Sequence, residues 1–301
     1  MKTTIISFLI TLFATATSIA QQESDSSFDV NVDHPYFSKK TARVLFDEGH
    51  QNFHTSTGRY LPFCNLIRND GCVIIPNKDK FSKEALAGYQ LLVIANAMNR
   101  FDSTAFTREE CRVVKEWVEA GGALLLITDH MPMSKMSQFM AEAFLVEFTY
   151  GTLLDSTNRD SLIKENSHLV YSRQNGLLAN HTITKGVNKV VSFTGQGIKG
   201  PDNCIEILKA SPTAYFEIIE LVDPKITEQG FTTKIRRSGF ASANGFSQAI
   251  AFESGKGKVI VTGEAAMLTA QVSRGEKAGM NYSGVDNKQL VLNMVRWLVD
   301  H

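Results

Sequence analysis

Three short apolar runs each end in a burst of polar side chains, and this repeated junction constrains the fold more than any other feature. Arg43-Val44-Leu45-Phe46 leads into Asp47-Glu48-Gly49-His50-Gln51-Asn52-Phe53-His54. Ala123-Leu124-Leu125-Leu126-Ile127 leads into Thr128-Asp129-His130, and Lys258-Val259-Ile260-Val261 into Thr262-Gly263-Glu264. Apolar runs of this length, separated by helical segments, read as buried parallel strands. Ligands of open α/β sheets bind outside the carboxyl ends of such strands. Asp47, His50, Asp129, His130 and Glu264 are therefore expected at one sheet edge as catalytic candidates. Glu48, Asn52, His54, Asn96 and Asn99 are expected beside them, where amides and carboxylates can fix substrate hydroxyls or carbonyls.

Residues 1–20 read as a leader rather than as part of the fold. Lys2 supplies a positive start, Ile5 to Ala14 an apolar stretch too short to span a bilayer, and Ser18-Ile19-Ala20 a small-residue cleavage site. The mature chain is expected to begin at Gln21 and to work in the periplasm or outside the cell. No cysteine follows the cleavage point, which argues against a lipid anchor there, and no later run is apolar enough to predict a transmembrane segment. Residues 21–40 are mostly polar and predict a tether without a core. The rest, 41–301, suits one α/β domain with a β-rich insertion at about 149–252. Lys plus Arg equals Asp plus Glu at 31 each, so no net field recruits nucleic acid. Cys64, Cys72, Cys111 and Cys204 form no Cys-x-x-Cys pair, which indicates neither a disulfide scaffold nor a zinc ribbon. Export permits a disulfide, Cys64 with Cys72 being closest in sequence, but buried thiols are the simpler expectation.

A βα rhythm runs from Thr41 to Phe148. A helix is expected over Tyr60 to Arg68, a strand over Cys72 to Ile75 stopped by Pro76, a short helix over Ser82 to Ala87 and a strand over Leu91 to Ala95. Thr107 with Glu110 is a capping-box signature for a helix that ends at Gly121-Gly122. A Met-rich helix is expected over Met133 to Phe144. Short apolar runs with polar breaks then predict antiparallel strands up to Phe252. The stripe Leu290, Val291, Met294, Val295 and Leu298 predicts a closing helix packed on the sheet.

The polar cluster admits more than one chemistry. His50 and His54 share one face if the segment is helical, and with Asp129 they form a candidate set for a divalent metal. Gly49 and the Thr55-Ser56-Thr57-Gly58 run favour a loop instead, and Asp47 and Asp129 are also residues that cap helices. Without metal, His50 or His130 can act as a base, oriented by Asp47 or Asp129, with Glu264 as acid. The turn Thr128-Asp129-His130-Met131-Pro132 carries no Ser or Cys, so a nucleophile triad is not expected. Gly195-Gln196-Gly197-Ile198-Lys199-Gly200 spells the dinucleotide glycine pattern, but no helix N-terminus follows it, so no nucleotide cofactor is expected.

The chain resembles the class I glutamine amidotransferase-like superfamily, and within it the exported branches similar to gliding-motility and intraflagellar-transport auxiliary domains. The segments that carry the resemblance are Val44 to His50, Gly121 to His130, His181 to Val187, Gly257 to Glu264 and Asn293 to Leu298. The resemblance implies a flavodoxin-like, mostly parallel sheet with helices on both faces. Amidotransferase activity does not carry over, because the nucleophile cysteine is missing from the turn after Ile127. Similarity to trehalose-utilisation-like proteins, which also end a Gly-Gly strand in a His, implies sugar chemistry. A carbohydrate-directed and hydrolytic site is one expectation. A non-enzymatic scaffold with an envelope protein as partner is the other.

Overall fold

The computed structural model describes residues 22–227, 230–273 and 275–300; the expected leader and Gln21 lie outside them. Eleven strands form the main sheet. They are β1 (Ala42–Asp47), β2 (Cys72–Asn77), β3 (Leu91–Ala95), β4 (Ala123–Ile127), β5 (Glu147–Leu154) and β6 (Gln196–Lys199). The remainder are β7 (Ile205–Lys209), β8 (Tyr215–Thr227), β9 (Gly230–Ser242), β10 (Ser247–Ser254) and β11 (Gly257–Thr262). The order β2-β1-β3-β4-β11 is parallel throughout and compatible with a flavodoxin-like sheet. From β11 the same sheet continues antiparallel through β10, β6, β5, β8 and β9, with β7 pairing β10. The fold is thus mixed α/β with few helices; most strands after Phe148 extend the main sheet, while Val170–Ser172 with Lys189–Val191, and Glu23–Ser24 with Ala270–Ser273 and Glu276–Gly279, form two small separate sheets.

Strand alternation explains why both faces are covered. Val44 and Phe46 enter one core with helices α1 (Leu61–Asn69) and α6 (Asn287–Val299). Leu45, Leu124 and Leu126 enter the other with α2 (Lys83–Leu86), α3 (Arg108–Glu119) and α5 (Gln138–Ala143). Helix α3 starts in the expected capping box, Thr107 Oγ1 accepting from Glu110 N while the Glu110 carboxylate accepts from Thr107 N. Because the five parallel strands point one way, Asp47, Asn96, Asp129 and Glu264 all follow strand ends on one edge.

Four local expectations change. Pro76 lies inside β2 rather than ending it; β2 pairs only with β1, so the missing N–H of an edge strand leaves no ladder bond broken. The Met-rich helix breaks into α4 (Met133–Met136) and α5 at Ser137, whose backbone leaves the helical region. Residues 22–40 are not a tether without a core. Phe37 is buried, Phe28, Val30 and Val32 pack against the α1/α6 core, and Glu23–Ser24 pairs with Ala270–Ser273. Widely spaced apolar residues supply this packing without periodicity. The run Ala214 to Ile219 predicts only a short strand, whereas β8 continues to Thr227 and pairs with β9 in a long hairpin whose outer part is too polar to register as an apolar run. All four cysteines are unpaired thiols, and burial pushes Cys64, Cys72 and Cys111 up to about 12.

Candidate functional site

The polar cluster divides into two units with different surroundings. In the first, His50 is held between two carboxylates. Nδ1 lies 2.9 and 3.0 Å from the oxygens of Asp47, and Nε2 lies 2.9 Å from Glu110 Oε1. The ring packs against Phe81 and Phe106 at 4.6 and 4.7 Å between centroids. Burial pushes the imidazole down, but the hydrogen bonds and charges of Asp47 and Glu110 outweigh it and raise His50 to about 9. Burial raises Glu110 in turn, and its bonds from His50 and Thr107 bring it down to about 2. Asn52 Nδ2 donates to Asp47 Oδ2 at 2.9 Å and its Oδ1 accepts from His50 N, which closes the loop on itself. This is a charged clamp tying the end of β1 to the start of α3. Both nitrogens of His50 are occupied, so it serves neither as a base nor as a metal ligand. The catalytic roles expected of Asp47 and His50 are replaced by a structural one.

The second unit surrounds a cavity of about 260 Å³ lined by Asp129, Glu264, His54, His130, Asn96 and Gln271, among others. Asn96 takes positive φ (49°) immediately after β3, and its Oδ1 accepts from Asp129 N at 2.9 Å. That conformation suits Asn better than most residues. Glu264 follows β11 and is fully buried. Its two oxygens accept from Ala266 N and Met267 N, each at 2.7 Å. Burial and the neighbouring Asp129 charge push Glu264 well above the usual carboxylate range. Burial also raises Asp129, although His130, the Asn96 side chain and two backbone N–H groups act against it. Like charges in a desolvated site resist joint ionisation, which is why each carboxyl raises the other's cost of ionising. Asp129, less buried than Glu264, is the member the cavity exposes.

Two histidines belong to this unit. His130 Nδ1 sits 2.9 Å from the carbonyl of Met131, to which it donates. His54 stacks near Tyr60, and burial first, then Arg59, lowers it to about 3, so it is neutral. Its Nδ1 is buried without a hydrogen-bond partner, as are both amide atoms of Gln271. Native interiors rarely leave such groups unpaired away from a ligand or water. The glycine motif serves this site mechanically. A Cβ on Gly195 would stand 2.4 Å from Gly263 O and 2.7 Å from Glu264 Cβ, so glycine lets β6 lie against the Glu264 turn. Gln196 Nε2 then donates to the carbonyls of Thr128 and Asp129. A strand follows these glycines, with no helix to receive a phosphate.

The other candidates stand apart. Glu48 accepts from Ser56 and Lys78, and Asn99 accepts from Phe101 N and donates to Thr104 O, so both organise loops. The metal set His50, His54 and Asp129 does not assemble, since Asp47 and Glu110 engage His50. Among the described residues no group of three or more His, Cys, Asp or Glu side chains is placed to hold an ion. Glu110 and Gln271 were not foreseen as site residues. The capping box marked Glu110, but only as a helix cap, and no local signal marks Gln271.

No family profile and no curated protein matches this chain. Among solved structures, the mmIFT52 N-terminal domain superposes with a TM-score of 0.59 at 14% identity, covering 86% of this chain and 98% of its own. A cytoplasmic protein from Salmonella typhimurium gives 0.47 at 11%, covering 85% and 98%. A GMP synthase-like protein from Thermoplasma acidophilum gives 0.41 at 11%, covering 84% and 92%. Similarity at these identities concerns the fold alone, and the first of the three partly matches the resemblance read from the sequence.

Proposed function

We propose that this chain is an exported protein that binds carbohydrate in the Asp129–Glu264 cavity and hydrolyses it by acid–base chemistry. The observation that carries the reading is a cavity whose lining brings the Asp129 and Glu264 carboxyls together with His54, His130, Asn96 and Gln271. A sugar hydroxyl both donates and accepts, so one ring can satisfy neutral acceptors, amide donors and carboxylates together. A cavity of about 260 Å³ suits a single ring, being smaller than the ~300–1,000 Å³ of drug-sized sites. Two carboxyls from neighbouring strand ends, one fully buried and one reached by the cavity, can divide the acid and base roles that glycoside hydrolysis requires. The His130 ring is a further polar group lining the cavity.

The test uses the chain from Gln21 onward, with sugar binding and release of reducing ends measured on a glycan panel beside Asp129→Asn. Loss of both in a folded variant supports the reading; retention of both in Asp129→Asn overturns it. The leader motif supports export, which recovery of the processed chain outside the cytoplasm checks.

A second reading, a scaffold in the cell envelope, is favoured by the β8/β9 hairpin. Past Phe216, β8 pairs only with β9, and the hairpin carries the exposed rings and branches of Ile218 and Phe240. Crosslinking that recovers a partner through this hairpin, with no turnover on any glycan, would select it.

A further inference from the structure

A second cavity, of about 610 Å³, adjoins the first. Gln22, Thr194 and Ala266 line both, so the two share a wall. The larger one contains no acid–base pair like Asp129–Glu264. Its distinguishing feature is a row of rings: His168 stands edge-on to Phe193 (5.5 Å), and Phe193 edge-on to Tyr282 (5.3 Å). The row is held in place, because Tyr282 Oη donates to Asp160 Oδ1 at 2.7 Å and Phe193 is buried at its base. Rings fixed in this way present an apolar face bordered by polar edges. Such a surface suits the C–H face of a pyranose, whose hydroxyls remain at the rim near Glu276 and Lys277.

Resting on the carbohydrate reading above, we propose that the His168–Phe193–Tyr282 cleft is a second subsite, and that the ligand is an oligosaccharide of two or more units. One terminal ring occupies the Asp129 cavity and the next ring or rings lie along the aromatic row. The linkage between them passes the shared wall at Thr194 and Ala266, beside the carboxyl pair. A single sugar leaves the larger cleft unused.

The test is calorimetry on the folded mature chain with glucose, galactose and mannose and their β-1,4-linked di- and tetrasaccharides. Two variants accompany it. Ala278→Trp fills the larger cleft from the short strand Glu276–Gly279, and Tyr282→Ala removes a ring without adding bulk. For at least one series the tetrasaccharide should bind about tenfold tighter than the monosaccharide, and both variants should erase that gain while leaving monosaccharide affinity within about twofold. Affinity independent of chain length, or a length gain that survives both variants, overturns the subsite. If the length gain is absent or survives both variants, yet monosaccharides bind and Asp129→Asn abolishes this, only the subsite has failed. If no sugar of any length binds, the carbohydrate reading falls and the subsite with it.

Discussion

Replacing Glu110 by Gln removes one of the two charges that hold His50 protonated, and the consequence is read as a change in stability with pH. His50 rises from 6.5 to about 9 on folding. A group whose folded pKa is raised contributes stability that is fully present below its unfolded pKa and is lost as pH rises through the folded value. At 1.36 kcal/mol per unit, a shift from 6.5 to about 9 predicts a loss of about 2 kcal/mol between pH 6.5 and 8.5. Cys64, Cys72 and Cys111 rise to about 12. They add a loss of the same sign once unfolded thiols ionise near ~8.5, so the window closes there. His54, lowered to about 3, has the opposite sign and acts as pH falls below 6.5. Denaturant unfolding of wild type and Glu110→Gln at pH 6.5, 7.5 and 8.5 isolates the clamp, because the other titrations are common to both. Wild type should lose the ~2 kcal/mol and Glu110→Gln clearly less, with a lower stability at pH 6.5. A flat wild-type profile, or equal slopes in the two proteins, would show that His50 is not a charged clamp and would return it to the catalytic candidates.

Three further outcomes are expected. Asp129→Asn should raise the thermal midpoint at pH 7.5 while abolishing sugar binding; the raised pKa values mean that ionising this pair costs stability as pH increases, so removing one charge relieves it. A lowered midpoint would assign Asp129 a structural role. Gly195→Ala should cost about 2 kcal/mol or more, since its φ is +140° and the added Cβ meets Gly263 O at 2.4 Å; denaturant melts showing a change within error would refute that close approach. Arg296→Ala breaks a bidentate pair with buried Asp70, at 2.8 and 2.6 Å, that fastens α6 to the end of α1. Chemical unfolding should register a loss of about 3 kcal/mol, at the low end for buried pairs because the guanidinium is partly exposed.

Much of the scaffold was legible because its signals are local. The apolar runs bounded by polar junctions are buried strands such as Ala123–Ile127, Thr107 with Glu110 writes a helix start into four positions, and the stripe from Leu290 to Leu298 is a one-sided helix. The same locality placed Asp129 and Glu264 beyond strand ends. Where signals were sparse the reading failed: Phe28, Val30, Val32 and Phe37 are spaced too widely to advertise packing, yet together they bind residues 22–40 to the core.

The sequence by itself determined which residues reach the sheet edge, since strand polarity and run length are properties of the chain alone. Only the tertiary structure decided how they combine there. His50 finds Glu110, 60 residues away, because the first turn of α3 reaches the loop that follows β1, and that single contact turns an expected catalytic base into a clamp. Asp129 couples to Glu264 because β4 and β11 are parallel neighbours, and Gln271 joins them from a strand outside the main sheet. Charge coupling and desolvation depend on distance through space, which residue spacing along the chain does not encode.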